Sequence, residues 1–578
     1  MKTRFNLSPI VLAALAACSS PVDPEPPAGG FADTVFLGTN IITMDTNRPT
    51  AEAVAIRGDS IALVGDREQA MALAGPGTRI EELGDKALIP GLIDTHGHFG
   101  FTARLLKLAN LSPPPVGPVN TIDDIVELLR AYIAENEVPT GAWVIGYGYD
   151  DSLLEERRHP TRADLDRIST DHPIGILHVS GHLATTNSAA LTGLNINADS
   201  GDPPGGIIRR QSGSREPNGV LEETAAFAVF GQMAAGNPED VESQVREAAI
   251  YYASFGITTA QEASTSPNEI AFFKSIAAKK ALPIDIAAYP VINQYPLDAI
   301  DALQMEPAYS GGYRVAGVKF SLDGSPQGRT AWLTKPYLQG PEGADANYVA
   351  YPTIDPDTYK AAAAVSIKNG VPILAHANGD AAIDLMIDGI DAALKQHAAS
   401  DHRAVIIHAQ LMREDQLDRA KELGVVPSFF SAHPFFWGDW HRESFGDERA
   451  LNISPIRWAV DRGVPFTIHN DAPIVPPDMM RLWWATVNRN TRSGFVLGAD
   501  QRASVYEALN AMTLTAAWQY FEEDRKGSIT AGKQADLVVL DRDPMSADPD
   551  TIKDIKVLET IARGHTVFEL PNAGSSDE

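Results

Sequence analysis

The stretch that decides the fold is GLIDTHGH, residues 91–98, in which an aliphatic run ends in two histidines separated by one glycine. Successive side chains of a β-strand point to opposite faces, so His96 and His98 project from the same face. Two imidazoles placed in this way can bind one metal ion. The stretch therefore predicts a buried strand that carries part of a metal site at its carboxyl end.

Outward from this stretch, short apolar strands alternate with longer helical segments, which is typical of parallel strands joined by crossover helices. Eight candidate strands can be counted, over residues 87–95, 256–263, 284–291, 314–321, 371–377, 404–410, 425–430 and 464–471. Eight strands of this kind predict an α/β fold, a TIM-type (β/α)8 barrel over residues 87–524.

Two further parts of the fold are predicted around the barrel. The gap of about 160 residues between the first and second strands is far longer than one helix with its loops. We therefore expect a large insertion after barrel strand 1, about residues 100–250, that covers the barrel mouth as a lid. Residues 32–86 and 525–570 show short alternating strands. They predict one small β-sandwich domain built from both chain ends.

Polar side chains stand near the ends of four more predicted strands, the edge at which barrel enzymes place their catalytic groups. They are Lys319, His376, His408 and Asp471. Each has a structural alternative when taken alone. A strand histidine is more often a hydrogen-bonded core residue than a metal ligand, and Lys319 alone is better explained as an ion-pair partner of Asp323. The joint position of the four at strand ends favours one shared metal site.

Four imidazoles and a carboxylate suit a borderline divalent ion such as Zn²⁺. Thiolate ligands do not compete, since Cys18 is the only cysteine. A second ion requires a bridging group. Lys319, desolvated among cations, can lose its proton and react with carbon dioxide to give a carbamate that bridges two ions. The sequence thus leaves one ion or two open.

The N-terminal segment MKTRFNLSPIVLAALAACSS has a basic start, an apolar run and small residues before Cys18. This pattern predicts a lipoprotein-type signal peptide over residues 1–17 and lipidation of Cys18, followed by a proline- and glycine-rich tether over residues 18–31. The apolar run is too short to span a bilayer as a helix. We expect an exported protein, anchored by lipid to a bacterial cell envelope and most simply to the outer membrane.

The chain of 578 residues is acidic overall, with 47 basic and 75 acidic side chains and a net charge of −28. This charge excludes broad contact with the phosphate backbone of nucleic acid. We therefore expect a small-molecule substrate, and we keep a homodimer as the expected assembly for a barrel of this size.

With these residues in place, the sequence resembles the amidohydrolase superfamily, in the family 3 branch of N-substituted formamide deformylases and YtcJ-like proteins. The landmarks of the resemblance are, in chain order, PGLIDTHGH, WVIGYGYD, RHPTRADLD, GHLATTNSAAL, PPGGIIRRQSG, GVLEETA, GVKFSLDGS, HANGD, IIHAQ, HNDAP and GSITAGKQADLVVLDRDP. One departure is HND before Ala472, where relatives more often carry a Gly-Ser pair. His469 and Asn470 are therefore expected to reshape the pocket beside Asp471.

The resemblance implies a metal-dependent hydrolase with assigned roles for particular residues. The implied metal ligands are His96, His98, His376, His408 and Asp471, with Lys319 as the carboxylated lysine and Glu223 as a further acidic group near the metals. Asp471 is the expected general base. His182 in the lid is the expected donor to the substrate carbonyl oxygen, with a structural hydrogen bond inside the insertion as its alternative.

The function that follows is hydrolysis of a carbon–nitrogen bond, in an amide, an N-formyl or N-acyl amine, or a cyclic amide, by metal-activated water. Hydrolysis of an ester, lactone or carbamate at the same centre is the alternative among enzymes. Outside enzymes, the alternative is a catalytically inactive, surface-anchored binding lipoprotein. The presence of every expected ligand argues against that last alternative.

Overall fold

The computed structural model describes residues 29–234, 238–292, 297–303, 305–341, 343–399 and 401–571. The predicted signal peptide, the lipidation site Cys18 and most of the predicted tether lie outside the described residues. Within those ranges, no helix combines the length and the apolar character needed to cross a membrane.

The first part of the chain is mostly strand. It forms β1 (Thr34–Ile42), β2 (Thr50–Arg57), β3 (Ser60–Gly65), α1 (Arg67–Met71), β4 (Arg79–Glu82) and β5 (Ala87–Pro90). Strands β1 and β2 pair antiparallel, and so do β2 and β3, whereas β4 and β5 run parallel to β1.

After the short β6 (Leu92–Ile93) the chain enters the insertion. Its elements are α2 (Phe99–Leu105), β7 (Ala109–Asn110), α3 (Ile122–Glu135), β8 (Val144–Tyr149), α4 (Arg162–Asp166), β9 (Ile174–His178), β10 (Leu183–Thr186), α5 (Ser188–Gly193), β11 (Gly206–Arg210), β12 (Pro217–Glu223) and α6 (Phe227–Phe230). The strands form one sheet in the order β11-β12-β10-β9-β8-β7. The insertion therefore has a sheet and a hydrophobic cluster of its own.

Parallel strands and helices then alternate as predicted. They are α7 (Pro238–Ala253), β13 (Ile257–Thr265), α8 (Pro267–Lys279), β14 (Asp285–Pro290), α9 (Leu297–Asp301), β15 (Tyr313–Val315), β16 (Val318–Ser321), α10 (Pro356–Lys368), β17 (Ile373–Ala377), α11 (Asp380–Gln396), β18 (Val405–His408), α12 (Glu414–Leu423), β19 (Val426–Phe429), α13 (His433–Phe445), α14 (Asp447–Ala450), α15 (Ile456–Arg462) and β20 (Thr467–Ile468). Their helices carry clear end signals. For example, Ser266 and Glu269 form a capping box on α8, and Gly424 ends α12 in the left-handed region.

The last part of the chain returns to the first sheet. It forms α16 (Met479–Asn488), α17 (Val505–Ala511), α18 (Leu514–Gln519), β21 (Leu537–Leu540), β22 (Val557–Ala562) and β23 (His565–Glu569). The described strands of both chain ends make one eight-stranded sheet, in the order β23-β22-β21-β5-β1-β2-β3 with β4 beside β1. The prediction that both ends build one unit is consistent with this pairing, while their folding into a two-layered sandwich stays a prediction.

The parallel strands lie in two sheets, one of β6, β13, β14 and β15 and one of β16 to β20. The sheets meet where Ile292 N donates to Lys319 O at 2.9 Å, and beyond β20 the Asp471 N donates to His96 O at 3.1 Å. The fold is thus mixed α/β with the strand order of the predicted barrel, and complete closure of the barrel stays a prediction.

Two predicted strands are divided in the structure. Of residues 87–95, Ala87–Pro90 pairs with the terminal sheet and only Leu92–Ile93 pairs with β13. Of residues 314–321, β15 and β16 belong to different sheets. Glycines mark both breaks, because a Cβ at Gly91 would lie 2.3 Å from Thr258 Oγ1 and one at Gly317 would lie 2.5 Å from Pro372 O.

Candidate metal centre

The first imidazole of the centre, His96, is held by a glutamine that the sequence analysis did not single out. His96 is fully buried, and its Nδ1 lies 2.8 Å from Gln261 Oε1. Gln261 Nε2 donates to Thr95 O and to the Tyr520 hydroxyl, both at 2.8 Å, so its Oε1 must face the ring. His96 Nδ1–H therefore donates to Gln261, and the lone pair of Nε2 points into the centre.

Asp471 lies against both histidines of the HxH pair. Its Oδ1 is 3.3 Å from His96 Nε2 and 3.3 Å from His98 Nε2, and its Oδ2 is 3.9 Å from His408 Nε2. Oδ1 is buried without a hydrogen-bond partner among the described residues. A buried carboxylate oxygen is costly unless a proton, a donor or a cation meets it, and here it faces imidazole nitrogens.

A chain of hydroxyl groups fixes the proton on His408, and it passes through His469. The Thr95 hydroxyl donates to Ile468 O at 3.1 Å, so the Ser428 hydroxyl, 3.2 Å away, must donate to Thr95. Ser428 Oγ then accepts from His469 Nδ1 at 2.9 Å, and His469 Nε2 accepts from His408 Nδ1 at 3.1 Å. His408 Nε2 is left with its lone pair toward the centre.

His376 faces His408 directly. Its Nδ1 lies 3.0 Å from His408 Nε2, while its Nε2 lies 3.0 Å from Gly324 O and 3.4 Å from Asp323 Oδ1. The Asn378 amide is also 3.0 Å from this Nε2. Because the carbonyl and the carboxylate can only accept, they place the proton on Nε2 and leave the lone pair of Nδ1 directed at His408.

Burial keeps the four inner imidazoles neutral. It lowers the pKa of His96, His376, His408 and His469 well below the ordinary value, and neighbouring histidines and Lys319 lower it further. Neutral imidazole is the form that binds a metal ion. The protonation state of the cluster therefore suits a cation.

Lys319 adds a buried amine to the same space. Its Nζ lies 3.1 Å from His96 Nε2. Burial lowers the pKa of Lys319 to about 7, although the charge of Asp471 opposes this shift. The alternative partner Asp323 is otherwise engaged, since its carboxylate accepts backbone N–H groups from Trp332, Asn378 and Gly379 at 2.8 to 3.0 Å. The amine can thus be neutral, which reaction with carbon dioxide requires.

Strained backbone aims two of these side chains. Side chains alternate along β18: Ile406 packs with the helices outside the strands, and Ile407 packs with apolar side chains of the neighbouring strands on the inner side. By this alternation alone, His408 would point outward like Ile406. The φ angles of His408 and Asp471 are +74° and +57°, in the left-handed region. Such residues cost about 1–3 kcal/mol each and cluster at functional sites.

The predicted ligand residues fit a divalent cation. One donor atom each from His96, His408 and Asp471 lies within 4.8 Å of the other two. His98 contacts Asp471, and His376 contacts His408. The lone pairs of His96 and His408 converge with an unpartnered carboxylate oxygen of Asp471. Nitrogen and oxygen donors of this kind are those of zinc sites.

His182 and Glu223, two residues of the insertion, form a pair beside this centre. His182 Nδ1 lies 2.7 Å from Glu223 Oε2, and the His182 ring centroid is 5.2 Å from that of His376. Burial of the ring opposes protonation, but the Glu223 carboxylate outweighs it and raises the pKa of His182. The structure thus places His182 beside the predicted ligands, and places Glu223 behind His182.

Comparison with known proteins identifies the family of the chain. Residues 79–568 match the model of the amidohydrolase family. The chain belongs to this family. As a member it is a hydrolase, of a family that uses a metal centre, and the resemblance read from the sequence motifs is confirmed.

Individual relatives are distant but cover most of the chain. An N-substituted formamide deformylase of Arthrobacter pascens is 26% identical over 93% of this chain and 98% of its own length. A putative amidohydrolase, YtcJ of Bacillus subtilis, is 24% identical over 93% of this chain and 99% of its own. The crystal structure of an uncharacterised metal-dependent hydrolase of Pyrococcus horikoshii is similar with a TM-score of 0.70, at 22% identity, over 89% of this chain and 99% of the other. This last likeness concerns the fold.

Proposed function

We propose that this amidohydrolase cleaves a carbon–nitrogen bond in an amide, an N-formyl or N-acyl amine, or a cyclic amide. The observation that carries the proposal is the convergence of two imidazole nitrogens, each 3.3 Å away, on the unpartnered Oδ1 of Asp471. The relative named as an N-substituted formamide deformylase supports the substrate class.

Asp471 is the proposed proton carrier. A bound divalent ion supplies polarisation of the substrate carbonyl and lowers the pKa of a water from about 15.7 toward about 7. Asp471 Oδ1, 3.3 Å from two imidazoles and free of other hydrogen bonds among the described residues, accepts the proton of the attacking water. It then delivers that proton to the leaving nitrogen, because an amine leaves only when protonated.

His182 is the proposed donor to the carbonyl oxygen. The bond from Nδ1 to Glu223 and the raised pKa favour the protonated ring, whose Nε2–H then donates to a negative oxygen. A donor that meets the charge only as it develops stabilises the transition state more than the substrate.

Zn²⁺ is the proposed metal, held by His96, His98, His376, His408 and Asp471. Lys319, next to His96, is the proposed site of carboxylation: its neutral amine attacks carbon dioxide, forms an N–C bond and releases one proton. The resulting carbamate would supply oxygen donors if a second ion were bound. Metal analysis tests the first point. The mass of the intact protein at neutral pH tests the second, because carbon dioxide added to a neutral lysine raises it by about 44 Da and acid would release it again.

A substrate panel tests the function. Purified full chain, emptied of metal and reloaded with Zn²⁺, is assayed on N-formyl amines, N-acyl amines and cyclic amides, each beside the matching ester or lactone. Faster turnover of the nitrogen compounds supports the proposal. Preferred turnover of esters identifies the alternative hydrolase. A metal content below about one equivalent, with no gain on adding zinc, removes the hydrolase proposal altogether.

We further propose that the protein is exported and anchored through Cys18. The support is the sequence of the N-terminal segment alone. Radiolabelled palmitate should be incorporated by cells that make the natural chain and not by cells that make Cys18→Ser. Equal labelling, or a soluble cytoplasmic pool of the natural chain, contradicts the anchor. Light scattering on the detergent-solubilised protein tests the expected homodimer.

A further inference from the structure

A second cluster of metal-binding side chains lies in the insertion. Asp151 follows β8, His159 lies in the loop after it, and His178 ends β9. Strands β8 and β9 are parallel neighbours, with Tyr149 opposite His178, so their carboxyl ends carry these side chains to one place. The arrangement repeats, on a smaller sheet, the way the main centre is assembled.

The carboxylate of Asp151 stands between the two rings. Its Oδ1 lies 2.9 Å from His178 Nε2, and its Oδ2 lies 3.7 Å from His159 Nε2. One donor atom from each of the three residues lies within 4.8 Å of the other two, and Asp151 and His178 are buried. The three groups are therefore close enough to share one ion.

A hydrogen-bond network alone does not account for His159. The 3.7 Å between His159 Nε2 and Asp151 Oδ2 is too long for a hydrogen bond. In the part of the chain that the structure describes, this nitrogen forms no hydrogen bond. Two ligands on one tetrahedral ion, with bonds of about 2.0–2.1 Å, stand about 3.4 Å apart. The gap thus has the size of a metal site.

Hydroxyl groups support both rings from behind. The Tyr149 hydroxyl lies 3.2 Å from His159 Nδ1, and Ser180 Oγ lies 2.8 Å from His178 Nδ1. Metal-binding histidines characteristically make such a bond through the other ring nitrogen, which fixes the tautomer. In the metal-bound form His159 Nδ1–H donates to the Tyr149 hydroxyl, and His159 Nε2 offers its lone pair beside Asp151. In the metal-free structure His178 Nδ1 accepts from Ser180 N–H at 3.2 Å, so the proton of this ring lies on Nε2 and is donated to Asp151. Metal binding at His178 Nε2 therefore moves this proton to Nδ1, which then donates to Ser180 Oγ in place of the backbone contact.

The arginines around the cluster are held elsewhere. Arg209 forms an ion pair with Glu222. Arg329 donates to Ser444 Oγ at 2.9 Å and to Gly340 O at 3.0 Å, and it lies over the Trp440 ring. Neither guanidinium is therefore hydrogen-bonded to the Asp151 carboxylate, which is left for the two imidazoles.

We propose that Asp151, His159 and His178 form a second divalent-metal site, distinct from the centre around Asp471. Two imidazoles and one carboxylate are a donor set for a first-row divalent ion such as Zn²⁺, with water completing the coordination. The site joins the loop after β8 to the segment that leads to His182, since Ser180 Oγ also accepts from His182 N at 3.1 Å. An ion there holds the lid segment that carries His182.

Metal stoichiometry of the purified full chain tests the site. Metal-free protein is titrated with Zn²⁺, and in parallel with Co²⁺ to record its absorption bands, for the natural chain, Asp151→Asn and His159→Gln. The control is His172→Gln, a histidine of the same insertion whose nitrogens bind Ser169 Oγ at 3.0 Å and Val138 O at 3.3 Å. Each cluster variant should bind one equivalent less than the natural chain, and the control should bind the same number.

A second arm separates this site from the main centre. The His96→Asn/His408→Asn double variant should keep one tight equivalent, which adding His159→Gln removes. Anomalous diffraction from zinc-loaded crystals of the natural chain should show a peak between the three side chains. Equal stoichiometry in all folded variants overturns the proposal, and so does a map with a peak at Asp471 and none at Asp151. Neither result bears on the proposed hydrolysis.

Discussion

Replacing Gln261 by leucine isolates one outer contact of the metal centre. The side chain keeps a similar size but loses the oxygen that accepts from His96 Nδ1 at 2.8 Å. Its two other partners remain satisfied. Thr95 O still accepts from Gln519 Nε2 at 3.1 Å, and the Tyr520 hydroxyl still donates to Asp94 O at 3.2 Å. The orphaned group is therefore the N–H of His96 alone.

The expected loss of zinc affinity follows from this one unpartnered N–H group. A buried donor left without a partner costs about 1–3 kcal/mol. His96 escapes the cost by moving its proton to Nε2, which removes the lone pair from the centre. Either way the ligand weakens, and at about 1.4 kcal/mol for each factor of ten the loss corresponds to roughly 5- to 150-fold in affinity. Outer-contact substitutions at metal sites cost about 10- to 100-fold.

The assay is competition for Zn²⁺ between the protein and a chelating dye at fixed pH, with thermal unfolding of the metal-free forms as a check on folding. Gln519→Leu is the matched control, because it removes a glutamine bond to the same Thr95 carbonyl without touching His96. We expect Gln261→Leu to bind zinc at least tenfold more weakly than the control. Affinities within twofold of each other would refute the role of Gln261 in orienting His96.

Three more predictions concern the proposed chemistry. Asp471→Asn should still bind metal but lose about 10²- to 10⁴-fold in kcat, the usual contribution of a general base, and retention of most activity would exclude Asp471 from that role. The pKa of Lys319 is about 7 in the folded protein against an ordinary 10.5, so between these pH values the unfolded chain binds one proton more than the folded chain. The free energy of unfolding of the metal-free protein should therefore rise with pH across that window. Urea unfolding of Lys319→Met should show a smaller rise, and an equal rise in both proteins would contradict a buried amine at this position. Glu223→Gln removes the charge that raises the pKa of His182. The alkaline decrease of kcat should therefore begin at a lower pH in this variant, and an unchanged decrease would mean that another group is the proton donor.

The sequence was sufficient to predict the site residues that follow from spacing within a strand or from position at a strand end. The HxH spacing put His96 and His98 on one side, and strand ends put His376, His408 and Asp471 at one edge, because parallel strands share the direction of their carboxyl ends. The structure brings these side chains together. Strand pattern also indicated that both chain ends join, which the pairing of β5 with β21 displays.

What the sequence could not provide depends on register and local backbone. Gln261 contacts His96 across 165 positions, and no spacing in the sequence marks it, since it is one of several polar residues of a buried strand. His469 was noted as a departure beside Asp471, yet its place between His408 and Ser428 follows only from the packing of β18 to β20. Alternation would also have turned His408 away, had its φ of +74° not reversed it.

The outer hydrogen bonds explain why the centre is committed to a cation. Gln261 and His469 hold the protons of His96 and His408 on the far nitrogens, so the near nitrogens face Asp471 without a proton of their own. The Lys319 amine, 3.1 Å from His96 Nε2, is a hydrogen-bond donor to one of them. Repulsion between these lone pairs and the Asp471 carboxylate destabilises the folded state when no metal is bound. A bound ion removes it, and because the ion binds only the folded state, it stabilises that state by RT ln(1 + [L]/Kd), about 4.1 kcal/mol at a thousandfold excess over Kd. Metal affinity and the stability of the metal-loaded fold therefore depend on the same hydrogen bonds, and a substitution that frees either proton should weaken both.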